Sequence, residues 1–375
     1  MTWNWQKPDW PHFSWDKTRL AKAEEQFLLE SGVFVGTAKH LGAGDREQLT
    51  VERMSTEAVT TSEIEGEILD RASVQSSIRK QLGLAADKRR AGPAEQGIAE
   101  MMVDLYRRFA EPLSGERLFA WHQMLFHGRR DLKGIGRYRT DEEAMQVVSG
   151  SIHAPKVHFE APPSRAMPRE MKAFVNWFNR TAPDGGEPLP SLTRAGIAHL
   201  YFVSIHPFED GNGRMARAIA EKALAHGLRQ PTLIALAATI LAKRKTYYEA
   251  LEAANKDNEI TAWLCWFAAT AIEALGHSIA RVEFLIDQTR LLDRLRGHLN
   301  DRQEKALLRM LREGPEGFQG GLSASNYASI TGASPATTTR DLADMVAKGA
   351  LIRVGEHRHA RYHISIPRAR RFRIG

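Results

Sequence analysis

Apolar residues recur at helical spacing along most of the chain. Between residues 17 and 80, strong helix formers carry apolar positions such as Leu20, Ala23, Phe27 and Val35. The same pattern returns in residues 88–111, 113–127, 164–180, 191–206, 215–226, 236–255 and 259–297. Gly227 is predicted to end the helix of residues 215–226. The aromatic and proline-containing start of the chain, residues 3–15, lacks this pattern and predicts an irregular arm packed on a helical body. The sequence therefore predicts a mainly α-helical protein.

Residues 128–163 interrupt the helical pattern. Gly134 and Gly136 disfavour a helix, and two short strand-like segments follow, one over residues 145–148 and one over residues 156–159. Two consecutive prolines at positions 162 and 163 end the second segment. We predict a β-hairpin over residues 145–160, which two strands alone stabilise only weakly.

Residues 303–366 predict a separate unit. Three short helical segments, 304–312, 323–331 and 336–348, are followed by strand-like segments at 351–354 and 362–364. Gly332 and Gly349 stop two of the helices, and Ser334 followed by Pro335 forms a helix cap. Three helices and a hairpin are the order of a winged helix. We therefore divide the chain into residues 1–110, 111–297 and 298–375, of which the last is the winged-helix domain.

The composition is typical of a soluble globular protein. Of the 375 residues, 43% are hydrophobic and 26% are charged. No apolar run approaches the ~20 residues that a membrane helix needs, and the first residues lack the pattern of a secretion signal. Cys265 is the only cysteine, which excludes an intrachain disulfide. We expect a cytoplasmic protein that makes no contact with membranes.

The positive charge is concentrated at the C-terminal end. Residues 301–375 hold 13 Lys and Arg against 7 Asp and Glu, which is +6 of the net +7. This balance indicates a polyanion partner for the winged-helix domain. Candidate DNA contacts are Thr337, Thr338, Thr339 and Arg340 on the third helix, Arg353, Arg358 and Arg361 near the wing, and Arg368, Arg370, Arg371 and Arg373 in the tail. Winged helices also bind proteins, so both kinds of partner stay open.

Residues 206–217 join two predicted helices and contain the elements of an anion site. Gly211 and Gly213 let the backbone turn tightly and approach a ligand, and the following helix starts there with free N–H groups. Arg214 and Arg217 lie three residues apart and project from one face of that helix. This combination is suited to a polyphosphate.

Two further side chains in the same segment can take part in chemistry. Asp210 can bind a divalent cation that bridges phosphates. His206, at the edge of the loop, can accept a proton from an attacking hydroxyl near pH 7. Each feature alone is common in proteins, whereas their combination within twelve residues indicates a nucleotide site.

The segment matches, without a mismatch, the pattern His-x-Phe-x-[Asp/Glu]-Gly-Asn-Gly-Arg-x-x-Arg of Fic-domain proteins. Residues 50–275, the aromatic arm and the winged helix also resemble a bacterial Fic arrangement. The resemblance implies a protein adenylyltransferase that moves AMP from ATP to a Tyr, Thr or Ser hydroxyl of a target protein or of itself and releases pyrophosphate. It assigns His206 as the general base and Asp210 as the Mg²⁺ ligand, and it assigns phosphate contacts to Gly211, Asn212, Gly213, Arg214 and Arg217.

The same resemblance assigns two regions outside the loop. The hairpin corresponds to the family's flap, and Val147, Val148, Val157 and His158 would pair with an extended segment of the target. Tyr248 lies where the family often contacts the nucleotide base. From the residues alone, a simple surface hairpin and a core aromatic are equally compatible interpretations.

A second motif suggests an internal brake. Residues 61–66, Thr-Ser-Glu-Ile-Glu-Gly, resemble the family's inhibitory pattern [Ser/Thr]-x-x-x-Glu-[Gly/Asn]. The resemblance implies that Glu65 pairs with Arg217 and keeps this arginine from the γ-phosphate. It places the chain in the subclass that is inhibited from its N-terminal side.

Three alternatives remain at this stage. The chain can be a de-adenylylase, because the carboxylate of Glu65 could orient a water molecule, or a transferase of another nucleotide. It can also be a DNA-binding regulator whose Fic domain senses nucleotide. Family members often dimerise, so a homodimer is a further expectation.

Overall fold

A computed structural model of the protein describes residues 2–87, 89–151, 154–231, 234–314, 317–318 and 320–366. Most of these residues are helical, in α1 (Lys17–Ala38), α2 (Ala43–Ile64), α3 (Arg71–Gln81), α4 (Pro93–Arg107), α5 (Gly115–Leu125), α6 (Met167–Arg180), α7 (Ser191–Ile205), α8 (Asn212–Leu228), α9 (Leu236–Ala242), α10 (Arg244–Ala254), α11 (Thr261–Leu295), α12 (Asp301–Leu311), α13 (Ala324–Thr331) and α14 (Pro335–Ala347). Strands β1 (Gln146–Ser151) and β2 (Ala154–Glu160) form one antiparallel pair, and β3 (Leu351–Val354) and β4 (Arg361–Ile364) form another. The predicted fold class, mainly helical with a small hairpin, is confirmed.

The chain divides into two compact units. The first comprises Met1–Gly32 and Glu47–Leu275, and the second comprises Val33–Arg46 and Gly276–Gly375. The division falls inside α1, α2 and α11, so each of these helices contributes residues to both units. The three-part division at residues 110 and 297 stays a prediction.

Helices α7 and α8 form the centre of the first unit. Every residue of α7 from Leu192 to Ile205 is buried, as expected for a helix that is apolar on nearly all sides. Helix α8 is longer than predicted, because Gly227 lies inside it and Arg229, with φ of 56°, ends it. A Cβ at Gly227 would lie 2.1 Å from the hydroxyl of Ser191, so this glycine permits close packing and does not act as a stop.

The aromatic arm is part of the first unit and packs on its helices and on strand β2. The rings of Trp3 and Phe159 meet edge to face with centroids 5.4 Å apart. The indole of Trp5 donates a hydrogen bond of 2.6 Å to the carbonyl of Glu160, and Asn4 donates one of 2.9 Å to the Ser204 hydroxyl. The arm therefore supports strand β2 and the end of α7.

The hairpin of β1 and β2 contains a bulge. Val147 faces Phe159 and Val148 faces Val157, so His158 is the extra residue of β2. The strands also extend further than predicted, because Ser149 and the residues after it still pair with β2. The two residues between the strands lie outside the described residues.

The second unit contains α12, α13, α14 and the hairpin of β3 and β4, in the order predicted. The Ser334 hydroxyl accepts a hydrogen bond from the amide of Thr337, with Pro335 at the start of α14. Apolar residues from all these elements share one core, including Leu307, Tyr327 and Leu342. The winged-helix assignment stays a prediction.

In the part of the chain that the structure describes, no helix combines the length and the hydropathy that membrane crossing requires.

Candidate functional site

The loop between α7 and α8 is held by its own residues. His206 ends α7 in the left-handed conformation, with φ of 52° and ψ of 59°, and Gly211 precedes α8 with φ of 79°. The side chain of Asn212 accepts a hydrogen bond from the amide of Phe208 and donates one of 2.8 Å to its carbonyl. Since Asn212 is buried and its side chain is used in this way, it can offer a phosphate only its backbone N–H.

The start of α8 faces a carboxylate. The first hydrogen bond within this helix runs from the amide of Met215 to the carbonyl of Gly211, so the amides of residues 212–214 precede the regular pattern. A Cβ added to Gly213 would lie only 2.2 Å from Oε1 of Glu65. The Glu65 carboxylate therefore lies against the start of α8, where the amides of residues 212–214 are. A side chain on residue 213 would occupy the same position.

Arg217 is enclosed by the residues of the second motif. It is 1% exposed, and its Nη2 lies 2.7 Å from Oε1 of Glu65. Its Nε donates to the hydroxyl of Thr61 at 2.7 Å and its Nη2 to the Thr61 carbonyl at 2.9 Å. Burial lowers the pKa of Arg217, but the Glu65 carboxylate raises it, so the guanidinium stays charged.

Arg214 pairs with a second carboxylate that sequence reasoning missed. Its Nη1 lies 2.5 Å from Oε2 of Glu67, and its guanidinium stands 4.9 Å above the ring of Phe126. Glu67 is two residues from Glu65, and this spacing was the only signal available in the sequence. Both arginines of the loop are thus paired with carboxylates of the turn after α2.

The imidazole of His206 has the tautomer that a general base needs. Its Nδ1 lies 3.3 Å from the carbonyl of Val203, so Nδ1–H donates there and Nε2 is left as the acceptor. The ring is surrounded by protein on most sides, although part of its surface is exposed. Burial lowers its pKa to about 4, and the imidazole is therefore neutral at pH 7.

Asp210 is oriented by its neighbours. Its Oδ1 accepts a hydrogen bond of 2.6 Å from the amide of Gly211, and its side chain is 46% exposed. The ring of His122, another residue that sequence reasoning missed, donates from Nε2 to the Asp210 carbonyl at 3.2 Å and accepts from the amide of Gly136 at 2.9 Å. Burial lowers the pKa of His122 to about 4, which keeps this bridge neutral.

The two adjacent tyrosines of α10 have different surroundings. Tyr247 is buried, and its hydroxyl lies 3.5 Å from Nη1 of Arg217 and 3.1 Å from Nε2 of His199. Tyr248, the predicted nucleotide contact, is 40% exposed, and its hydroxyl lies 3.5 Å from the carbonyl of Ile64. The structure thus places Tyr247 against the arginine and Tyr248 beside the turn that carries Glu65.

The predicted flap residues divide into two pairs. Val147 and Val148 on β1 are 39% and 50% exposed. Val157 packs against the cluster of Trp3 and Phe159, and Nδ1 of His158 lies 2.8 Å from Oε2 of Glu252. Only the β1 pair therefore offers exposed apolar surface to a partner, since packing and a hydrogen bond already occupy the β2 pair.

Comparison with known proteins matches two regions of the chain to protein families. Residues 112–224 match the model of the Fic/DOC family, and residues 3–84 match a domain family of unknown function, DUF4172. The chain is similar to a protein adenylyltransferase Fic of Nematostella vectensis, with 31% identity over 160 residues, which is 39% of this chain and 32% of that protein. It is also similar to the protein adenylyltransferase fic-1 of Caenorhabditis elegans, with 33% identity over 86 residues, 23% of this chain and 15% of that protein. The chain thus spans a third or less of the length of these relatives.

Two crystal structures share the fold. A Fic family protein from Desulfovibrio desulfuricans G20 aligns over 91% of this chain and 95% of its own, with a TM-score of 0.51 and 20% identity. A Fic domain containing signaling protein from Bacteroides thetaiotaomicron aligns over 71% of this chain and 97% of its own, with a TM-score of 0.51 and 16% identity.

Proposed function

Since residues 112–224 form a Fic/DOC domain, we propose that this chain is a protein adenylyltransferase. In the proposed reaction, a Tyr, Thr or Ser hydroxyl of a target protein attacks the α-phosphorus of ATP. The bond from that phosphorus to the bridging oxygen breaks, and pyrophosphate leaves. The observation that carries the proposal is the neutral His206, whose free Nε2 can take the proton of the hydroxyl.

The rest of the loop provides the binding of the polyphosphate. The amides at the start of α8 supply oriented donors for phosphate oxygens, and Arg214 and Arg217 supply positive charge from the same helix. Such a site acts by positioning the reactants and by neutralising charge, which is the main need of phosphoryl-type transfer.

Asp210 is the residue that would hold Mg²⁺. Its exposed carboxylate fits an ion that prefers oxygen ligands and keeps several waters. Within the described ranges, no three His, Cys, Asp or Glu side chains form a metal cluster, so phosphate oxygens and water would complete the shell. The ion supplies charge neutralisation at the phosphates.

The flap is proposed to hold the target. Among the described residues, β1 pairs with β2 alone, and its Val147 and Val148 side chains are exposed. An extended target segment could add to this hairpin as a further strand, with main-chain hydrogen bonds for affinity. The hydroxyl of that segment would then be presented to His206.

Glu65 is proposed to act as the brake. Its carboxylate pairs with Arg217 and lies against Gly213, where the phosphate tail would need to bind. A carboxylate and a phosphate compete for the same cationic site. ATP could then bind only in a form that does not react.

The first test uses two forms of labelled ATP. We expect Mg²⁺ and α-labelled ATP to label the purified chain or a lysate protein, whereas γ-labelled ATP leaves no label, because the γ-phosphate departs with pyrophosphate. Label from the γ-position would show a kinase. Stronger label from GTP or CTP would show another nucleotide donor, and release of AMP from a premodified protein would show a de-adenylylase.

A second candidate function is DNA binding, which exposed polar and basic residues of α14 and β3 favour. On α14, Thr339 and Arg340 are exposed and Thr338 is buried, and Arg353 on β3 is also exposed. The side chain of Arg358 and residues 368–373 lie outside the described residues.

We expect duplex DNA to bind with an affinity that falls steeply as salt rises. Replacing Arg340 and Arg353 together by alanine should reduce the slope of log K against log salt by roughly 0.9 for each phosphate that the protein no longer neutralises. Binding that does not depend on salt would contradict DNA recognition and favour a protein partner for this unit.

A further inference from the structure

Arg139 lies between the flap and the catalytic turn, which is the turn of His206 and Pro207 that follows α7. Its side chain is buried, with 4% of its surface exposed. It belongs to the segment between α5 and β1, where Gly134 and Gly136 interrupt the helical pattern. None of the sequence motifs includes it.

The hydrogen bonds of Arg139 run in two directions. Toward the catalytic turn, Nε donates to the carbonyl of His206 at 2.7 Å, Nη2 lies 3.4 Å from the Ile205 carbonyl, and the backbone amide donates to Pro207 at 2.9 Å. Toward the flap, Nη2 donates to the carbonyl of Pro162 at 2.5 Å and Nη1 to the hydroxyl of Ser164 at 2.8 Å. One side chain therefore connects the end of α7 to the chain directly after β2.

The catalytic turn needs such a partner. The last carbonyls of a helix have no donor within the helix, and Pro207, which follows, has no N–H to offer. His206 also adopts a left-handed conformation that residues other than glycine rarely populate unless the surroundings hold them. The planar guanidinium can satisfy several carbonyls at fixed angles, which a lysine ammonium cannot do in the same geometry.

The charge of Arg139 also acts on the imidazole. Burial is the main reason that the pKa of His206 is low, and the positive charge of Arg139 lowers it further, whereas Glu65 and Asp210 raise it. Burial lowers the pKa of Arg139 itself to about 10, so it stays charged at pH 7.

We propose that Arg139 is a positioning residue, which holds the His206 turn in register with the base of the flap. This inference rests on the proposed transferase function, because it concerns the alignment of the base with a hydroxyl that the flap presents. Arg139 acts through His206 and does not itself contact the reactants.

The test compares two variants of Arg139 with a matched control. Arg139→Gln removes both the positive charge and the planar guanidinium with its several donors, whereas Arg139→Lys keeps only the charge. The control is Arg194→Gln, because Arg194 is 1% exposed, donates to the Phe178 carbonyl at 2.9 Å and lies in the first turn of α7, at the opposite end from His206. All are made in the full chain carrying Glu65→Gly, so that transfer is measurable.

We expect Arg139→Gln to lower kcat by about 100-fold with the KM for ATP within about twofold of its parent, because a misplaced catalytic group costs roughly this much. Arg139→Lys should recover part of kcat. Arg194→Gln should lose thermal stability to a similar degree but keep kcat. Equal losses of kcat in Arg139→Gln and Arg194→Gln, or a change in KM alone, would overturn the proposal.

A second measurement does not depend on transfer. NMR titration of the His206 imidazole, assigned by its absence in His206→Ala, should show a higher pKa and a loss of the Nδ1–H tautomer in Arg139→Gln. An unchanged imidazole would overturn the positioning role even if the chain transfers AMP. A changed imidazole without any transfer in the parent would instead refute the proposed function.

Discussion

Glu65→Gly will raise the incorporation of AMP into the chain itself by about 5- to 150-fold, the range that a coupling free energy of 1–3 kcal/mol covers. The physical reason is the ion pair of 2.7 Å between Glu65 and Arg217. Without the carboxylate, the buried guanidinium keeps only its bonds to Thr61 and Tyr247 among the partners described for it. It then has a strong preference for an incoming phosphate. The measurement is the initial rate of labelling with α-labelled ATP and Mg²⁺.

Two neighbouring carboxylates provide controls, Glu63 at the end of α2 and Glu67 in the turn that carries Glu65. Glu63→Gln removes an equal charge at an exposed position and should leave the rate unchanged. Glu67→Gln releases Arg214 alone and should give a smaller rise, because Arg214 also lies over the ring of Phe126. If wild type and Glu65→Gly label at the same rate, Glu65 is not a brake.

The same variant should respond more strongly to nucleotide in a melting experiment. Removing Glu65, whose side chain is 31% exposed, leaves the buried charge of Arg217 without its carboxylate, so Glu65→Gly should unfold at a lower temperature than wild type. ATP should then raise its Tm by more than it raises that of wild type, because a bound phosphate replaces the lost carboxylate.

His206→Ala will reduce AMP transfer by about 10²- to 10⁴-fold, the usual contribution of a general base. The KM for ATP should stay near its parent value, since on our proposal the amides and arginines of α8 hold the phosphates. His226→Ala is the matched control, because His226 lies in the last turn of α8, far along this helix from the loop, and its Nε2 is 3.3 Å from Oδ1 of Asp184. Transfer that survives in His206→Ala would show that another group takes the proton.

The pH dependence follows from the low pKa of His206. Because burial lowers this pKa to about 4, the rate should be insensitive to His206 between pH 6 and 8 and fall only as pH approaches that value. For stability, the pKa of the His206 imidazole is about 6.5 in the unfolded chain and about 4 in the folded chain, so the unfolded chain binds this proton first as the pH falls. The stability that this residue supports is therefore present above pH 6.5 and is lost as pH falls toward 4.

The match of residues 3–84 to a domain of unknown function acquires a structural meaning. This segment contributes the arm, whose Trp3 and Trp5 support strand β2, and the carboxylate of Glu65 and its neighbour Glu67. It therefore reaches both the base of the flap and the arginines of the loop. On our proposal, it controls the site from two sides.

The sequence by itself determined those features that depend on spacing along one segment. The helical periodicity, the hairpin over residues 145–160 and the Fic/DOC resemblance of residues 206–217 could be read because neighbours in the chain are also neighbours on a helix or strand. The cap at Ser334 and the stop at Gly332 were predictable for the same local reason.

Only the tertiary structure decided how distant groups meet. The pairing of Arg214 with Glu67 joins residues 147 positions apart, and the bond from Arg139 to the His206 carbonyl spans 67 positions. Periodicity contains no information about such contacts, because they depend on how whole elements pack. Packing likewise made Gly227 an interior glycine of α8, where the sequence suggested a stop, and it placed Val157, a predicted docking residue, partly buried against Trp3 and Phe159.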